Sequence, residues 1–584
     1  MLYFLVMWVL LLLLCVPIGL GLAHRAGVHL SLVPDDAHPA NRLMCPFQPE
    51  AVLITWLGVL GIAIALFSMS LWVPLSPLVG LAVGGSLAAI ALRQASVRHD
   101  LQTLRQAIGW RQGLGIGALA LLAAAATVQP VTWIDTGLYH YGTIRWLADY
   151  GTVVGVALIH DRFGFASSWF ALAAPFNPVI LDGRGTAIAN GFLLWLLLLQ
   201  GWAALTRIVS SKATIPDWFG ASSLGLLIAL FFGSSLMMEI VVSPSPDIPI
   251  ILLAILLSSF LLISDEQNPM TADGLAFVIL GLGAVAVTVK LSGLPLLAIG
   301  GLFFVGRYYQ KPRSLLVGLG LVTIILLPMT IFGWLTSGCP LYPSSVMCLD
   351  LPWSLPQDAG EEARAQIHGW QLWFGSPPEG TPWLPWVFRE WISLGITNKL
   401  LVGLGLLSTI ATMLLLHRWW RSPYRAVIRG PIWVSALGLL GSAFTLILSP
   451  LIRFGLGYLI LIPAMAIAWL GHAWIEPRWQ RLPRPGLQLG KQWPWISVGL
   501  VAAIAAVTTV RGYPNLLLPP LLPSARVTTA QMQDISYVHP IDVGVDLCWD
   551  APNPCALGPL ELEVRLRQPN RGLAGGFERV LPNE

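Results

Sequence analysis

Residues 113–151 read GLGIGALALLAAAATVQPVTWIDTGLYHYGTIRWLADYG, and the two halves of this stretch demand different surroundings. The run 112–130 carries no charge and has the ~20-residue length of a helix that crosses hydrocarbon. Beyond it come Asp135, His140, Arg145 and Asp149, set among aromatic side chains. That second half is too polar to cross a bilayer. The chain therefore leaves the hydrocarbon near Pro130 and continues along its surface.

Runs like 112–130 recur through most of the 584 residues. The chain is 56% hydrophobic and 11% charged, with a mean hydropathy of +0.73, a composition that excludes a water-soluble domain of this size. A transmembrane β-barrel is excluded too, because its strands would alternate in period two over about half that length. The expected fold is an all-α polytopic membrane protein with about 14 transmembrane helices. They fall at 3–22, 51–71, 76–93, 112–130, 184–206, 217–236, 247–264, 275–289, 292–306, 315–335, 399–416, 431–449, 455–474 and 494–510. The pair 275–289 and 292–306 is short, and the first of them has the alternative of a re-entrant segment. The N-terminal run LYFLVMWVLLLLLCVPIGLGLA has no basic leader and no A-x-A site, so it reads as a retained span rather than a signal peptide.

Lys and Arg orient the bundle. Arg98, Arg105 and Arg111 flank one connection, and Arg307, Lys311 and Arg313 cluster in another. Arg418, Arg421, Arg425 and Arg429 form a third group, and Arg478, Arg481, Arg484 and Lys491 the last. With that span count all four groups fall on one side, which should be the cytoplasm. A multi-pass inner-membrane protein with both termini on the periplasmic side is expected. The net charge of +4 belongs to these inside loops, and no nucleic-acid partner is expected.

The segments 131–183, 336–398 and 511–584 then lie outside. Cys339 and Cys348 share one of them, and Cys548 and Cys555, in CWDAPNPC, share another. Two close pairs on the outer face point to two local disulfides in an oxidising compartment. Cys15, within a span, and Cys45, in an inside loop, are expected to be free. Four regions follow: a three-span module at 1–111, a core at 112–310 that includes the loop 131–183, a C-terminal bundle at 311–510 with the loop 336–398, and a tail at 511–584. The inside connections are short and contain no P-loop, so chemistry is expected outside, without ATP or a nucleotide-sugar.

Charges at membrane depth are costly and therefore mark sites. Asp135 has two readings. It is the cap of an interfacial helix that runs to Tyr150 and stops at Gly151, or a half-buried carboxylate near His140 and Arg145 that serves as a general base. Tyr139 shares its helix face, while Trp133, Tyr141 and Trp146 suit the membrane interface. His160, with Asp161 and Arg162, opens a second interfacial helix or sits in a solvated loop with an internal ion pair. Asp247, in SPSPD, enters a span either as a favourable charge on the helix dipole or as a ligand. Lys290 lies between two short apolar segments, and Arg453 at the outer end of another span. Outer-face cations run against the inside bias, so the two together suggest an anion site, although either alone can contact lipid headgroups.

The order of these features resembles the GT-C superfamily of integral membrane glycosyltransferases. An acid follows a span; an interfacial helix with an Arg, then Gly-Thr-Val and a second interfacial helix come next; a Pro-rich turn and Asp open a later span, and a Lys sits between two short spans. The layout is similar to bacterial aminoarabinose transferases and protein O-mannosyltransferases, and the likeness covers roughly 112–310. Asp135, Tyr139, Arg145 and Gly151 match a pattern of D-x-x-x-Y-x-x-x-x-x-R-x-x-x-x-x-G in the first outer loop. The resemblance implies a hexosyl- or pentosyl-transferase acting within membrane lipid, from a polyprenyl-phosphate sugar donor to a glycan, lipid or protein acceptor. It implies that Asp135 is the catalytic carboxylate, that Asp247 is the acid beginning a later span, and that Lys290 meets the lipid phosphate. Tyr139, His140, Arg145, His160 and Arg453 complete the expected substrate-binding set. Many members carry paired acids in this loop, whereas Thr136 follows a lone Asp135, which leaves a divalent metal cofactor open. The other readings are a lipid-linked glycan ligase or polymerase, a transporter or flippase, and a non-catalytic assembly subunit with partners in a membrane complex.

Overall fold

The computed structural model describes the chain apart from residues 34–46, 182, 185–186, 234, 357–376, 421–428, 449, 476, 478–516 and 581–584. Among the described residues, 9 helices are long and apolar enough to cross a membrane, or up to 11 if each of two bent pairs is one span. The nine are Leu2–Arg25, Pro49–Ser70, Ile188–Val209, Asp247–Glu266, Pro269–Val289, Leu291–Tyr308, Pro312–Ser337, Arg429–Leu448 and Ile452–Ile475. The protein is a multi-pass helical membrane protein.

Five of the fourteen expected runs lie outside these nine. The runs 76–93 and 399–416 are arms of the bent pairs Pro77–Leu92 with Ala95–Ala107 (98°) and Trp383–Ser393 with Asn398–Leu414 (115°). The runs 112–130 and 217–236 form the helices Trp110–Thr127 and Ile215–Gly233, which stay outside the set of nine. The run 494–510 lies outside the described residues, as do Cys45, Arg421, Arg425, Arg478, Arg481, Arg484 and Lys491. The re-entrant alternative for 275–289 does not hold. Pro269–Val289 is a 21-residue helix, begun by Pro269 and capped by Asn268, whose Oδ1 accepts from Thr271 N at 3.0 Å.

Asp247–Glu266 is the central helix. Its side chains from Asp247 to Ser264 are all buried, as expected of a helix that is apolar all round and sits inside a bundle. Pro312–Ser337, by contrast, exposes Leu316, Val317, Leu319 and Ile324. The N-terminal helix shares the core of the rest of the chain. Trp8 Nε1 donates to Ile188 O at 2.9 Å, and its ring stacks on Trp195 at 5.9 Å.

Ion pairs gather at both ends of the bundle. One gathers the pairs His24–Asp100, Arg207–Asp217 and Arg307–Asp273 at 2.8, 2.7 and 2.6 Å. The opposite end carries the starts of Asp247–Glu266 and Ile452–Leu459, the break after Val289 and the loop 131–183. The tail docks there. Phe577 N donates to Val154 O at 2.9 Å, Arg579 N to Pro352 O at 2.8 Å and Leu522 N to Gly183 O at 2.8 Å. The tail consists of two short antiparallel hairpins, Val527–Met532 with Ile535–Pro540 and Val564–Leu566 with Phe577–Arg579; Met532 lies opposite Ile535, and Leu566 opposite Phe577. Disulfides join Cys339 to Cys348 and Cys548 to Cys555, and Cys15 is free and buried.

Candidate active site

Asp135 does not cap a regular helix. The residues after it, Thr136–His140, form a π-helical turn that runs into the α-helix Tyr141–Asp149. Such a turn widens the helix and re-aims the side chains around it, and is frequent at functional sites. The chain then reverses at Gly151, whose φ of +76° suits glycine; a Cβ there would also meet Ser70 O and Val73 O at 2.8 Å. Relieved of capping, the Asp135 carboxylate reaches across the bundle to Arg453.

Arg453 is the second residue of the helix Ile452–Leu459. Its Nη1 lies 2.5 Å from Asp135 Oδ2 and 3.6 Å from Asp247 Oδ2. Lys290 Nζ bonds the other oxygen of Asp247. Two acids and two cations thus form one chain: Asp135, Arg453, Asp247, Lys290. The side chain of Asp247 is 2% exposed and that of Lys290 24%, the most exposed of the four. Aromatic faces line it. Arg453 Cζ lies 4.7 Å from the Trp133 ring centre and 4.6 Å from that of Phe454, and Lys290 Nζ lies 3.8 Å from Phe454. Cation–π contacts of this kind add ~0.5–2 kcal/mol each and strengthen as water is excluded.

Buried hydrogen bonds hold the helix ends that carry these charges. Asn190 Oδ1 accepts from Trp169 Nε1 at 2.8 Å, and Asn190 Nδ2 donates to Ser243 O at 2.6 Å and Ser245 O at 3.0 Å. Ser245 Oγ in turn accepts from Asp247 N at 3.2 Å. On the Lys290 side, Ser167 Oγ donates to Val289 O at 2.9 Å, Ser168 pairs with Thr288 at 2.9 Å, and Tyr458 OH donates to Ser292 O at 2.6 Å. Several of them take up backbone groups next to the helix breaks, among them Ser243 O, Ser245 O, Val289 O and Ser292 O.

Tyr139 and His140 lie within electrostatic reach of Asp135, Asp247 and Arg453. Burial raises the Asp135 carboxyl, but the Arg453 guanidinium and the other neighbouring cationic groups outweigh it and hold the carboxyl below its ordinary value. Burial lowers His140 to about 4, so its imidazole is neutral at neutral pH, and raises the Tyr139 phenol. His160 stands apart from the four charges. Its Nδ1 pairs with Asp161 Oδ1 at 2.9 Å and its Nε2 with Leu138 O at 3.0 Å, which ties two turns together. Arg145 also faces elsewhere, donating to Ala551 O in the tail at 2.8 Å. Trp133, Phe454 and Asn190 belong to the site and were not expected from sequence. An Asn near the start of an otherwise apolar helix was the available signal.

Among the described residues no group of three or more His, Cys, Asp or Glu side chains is placed to hold a metal ion. Asp135 and Asp247, the acids that a divalent ion would need, are each matched by a cationic side chain. The described residues of the site therefore do not suit one.

The tail closes over the turn that carries Asp135. A Cβ on Gly137 would meet the Trp549 ring at 2.4 Å, and the Cys548–Cys555 disulfide closes the loop that presents Trp549. Losing the charge-assisted hydrogen bond of Arg145 costs roughly 1.5 kcal/mol. Arg145→Ala is therefore expected to speed limited proteolysis within 517–580 about tenfold. An unchanged rate would show that Trp549 holds the loop without Arg145.

The chain is 30% identical over 166 residues to an alpha-(1->6)-mannopyranosyltransferase of Mycobacterium tuberculosis, a match covering 26% of this chain and 27% of that protein. It is 29% identical over 223 residues to a protein of Mycolicibacterium smegmatis named as a probable alpha-(1->6)-mannopyranosyltransferase, covering 34% and 37%. The chain thus spans little more than a third of these relatives at most. No solved structure matches it. The likeness to GT-C membrane glycosyltransferases accords with both names. The family described as "Domain of unknown function (DUF8201)" matches residues 1–460, which contain all four charged residues of the site, and the chain belongs to that family.

Proposed function

We propose that this protein is a membrane glycosyltransferase that moves a sugar from a polyprenyl-phosphate donor to an acceptor hydroxyl at the outer face of the membrane. The observation that carries this reading is the meeting of Asp135, Asp247, Lys290 and Arg453 at the end of the bundle opposite the pairs His24–Asp100, Arg207–Asp217 and Arg307–Asp273. The bias of Lys and Arg toward inside loops in the sequence supports an outer location for the site. No cytosolic nucleotide-sugar reaches that side, so a lipid-linked donor is required.

Asp135 removes the acceptor proton. The acceptor oxygen bonds to the anomeric carbon as the bond from that carbon to the phosphate oxygen breaks, and the electron pair leaves with the phosphate. Attack from the face opposite the phosphate inverts the anomeric carbon. Base catalysis of this type contributes ~10²–10⁴-fold. Lys290 and Arg453 stabilise the charge that develops on the leaving phosphate. The names of the relatives make mannosyl donors the first to try. One observation favours a second reading, a non-catalytic assembly subunit: the four charges already neutralise one another.

The test is transfer by membranes that contain the protein, supplied with a panel of labelled polyprenyl-phosphate sugars. Label is expected to pass from lipid phosphate to a glycan, lipid or protein product. Absence of transfer across a broad donor and acceptor panel would favour the assembly subunit.

A further inference from the structure

The same two cations that would hold a phosphate are engaged by the protein's own carboxylates. Carboxylate and phosphate offer a guanidinium similar oxygens at similar distances. Asp135 therefore takes on Arg453 a place that a phosphate oxygen would take. We infer that the donor phosphate displaces Asp135 from Arg453, so that the base is held inactive until a phosphate anion arrives and frees it. This rests on the glycosyl-transfer reading for the identity of the anion.

The surroundings suit such an exchange. Arg453 lies between the Trp133 and Phe454 rings, at 4.7 and 4.6 Å. A planar guanidinium can shift along aromatic faces while keeping its cation–π contact. Asp247 Oδ2, at 3.6 Å, is a second partner on the way. Lys290 is the more exposed member of its pair, and Phe454 touches both cations.

Charge is conserved through the cycle. The four side chains are neutral together, and a phosphodiester donor brings the site to a single negative charge. After transfer the proton sits on Asp135 and the released phosphate monoester carries two negative charges, which leaves the same total. When that phosphate departs, Arg453 returns to Asp135 and the proton passes from Asp135 to water. Donor therefore binds before the acceptor is deprotonated.

The test is equilibrium binding of a polyprenyl phosphate to the purified full chain in nanodiscs of zwitterionic lipid. Asp135→Asn removes the internal competitor and should bind it about tenfold tighter or more than wild type, the lower range of coupling between close charge pairs. The gain should vanish when Arg453→Gln is added. Asp247→Asn frees the same cations and should also tighten binding, which keeps the test available if Asp135→Asn does not fold. Wild-type binding that is unchanged or weakened in both single variants overturns the exchange but leaves the phosphate site standing. A wild type that binds no polyprenyl phosphate overturns the glycosyl-transfer reading itself. Parallel arms with phosphatidylglycerol nanodiscs and with inorganic phosphate separate the sources. An equal gain in either arm overturns the link to the donor lipid.

Discussion

Asp135→Asn is expected to cut sugar transfer ~10²-fold or more without loss of donor binding. The substitution keeps the size of the side chain and one oxygen for Arg453, and removes the group that accepts the acceptor proton. Because Arg453 holds the Asp135 carboxyl below its ordinary value, the group is ionised and ready to act at neutral pH once Arg453 moves. The split between turnover and donor affinity separates a lost base from a damaged fold. Transfer at the wild-type rate in Asp135→Asn would remove Asp135 from the chemistry.

Lys290→Ala should fail in a different way. Asp247 is 2% exposed, and without the amine its nearest cation is Arg453 at 3.6 Å. Breaking a buried pair from one side costs ~3–5 kcal/mol, and the shared Arg453 argues for the lower end. Donor capture should weaken ~10²-fold, seen as a raised KM for donor, because the leaving phosphate loses one of its two counter-charges. Lys290→Ala with Asp247→Asn should recover most of the stability but not the donor affinity. Thermal unfolding and donor titration of both variants check the two effects independently. A normal donor KM in Lys290→Ala would place the phosphate elsewhere.

Some features of the molecule are local and others are not. A run such as 51–71 needs no partner to declare itself a span, because its length and lack of charge already satisfy the bilayer. The number of spans was harder, because an apolar run of 15–20 residues reads alike whether it crosses the bundle or forms one arm of a bend, as at Pro77–Leu92. Asp247, Lys290 and Arg453 stood out because a charge at membrane depth must find a partner, and the structure shows them partnering one another. Arg145 and His160 carry the same kind of signal, yet they satisfy the tail and the neighbouring turn. Sequence near position 145 holds no hint of Ala551, which lies 406 residues away. The faces of Trp133 and Phe454 were equally hidden, since an aromatic at a helix start reads as an interface anchor until the cation over it is known.

The most direct measurement is the release of polyprenyl phosphate by the purified chain in proteoliposomes loaded with labelled polyprenyl-phosphate mannose and related donors. Wild-type protein with acceptor should release polyprenyl phosphate, while Asp135→Asn binds donor without releasing it and Lys290→Ala captures little donor. Equal release by wild type and both variants, or release from no donor tried, would contradict a phosphate-holding, Asp-based transfer site at this end of the bundle.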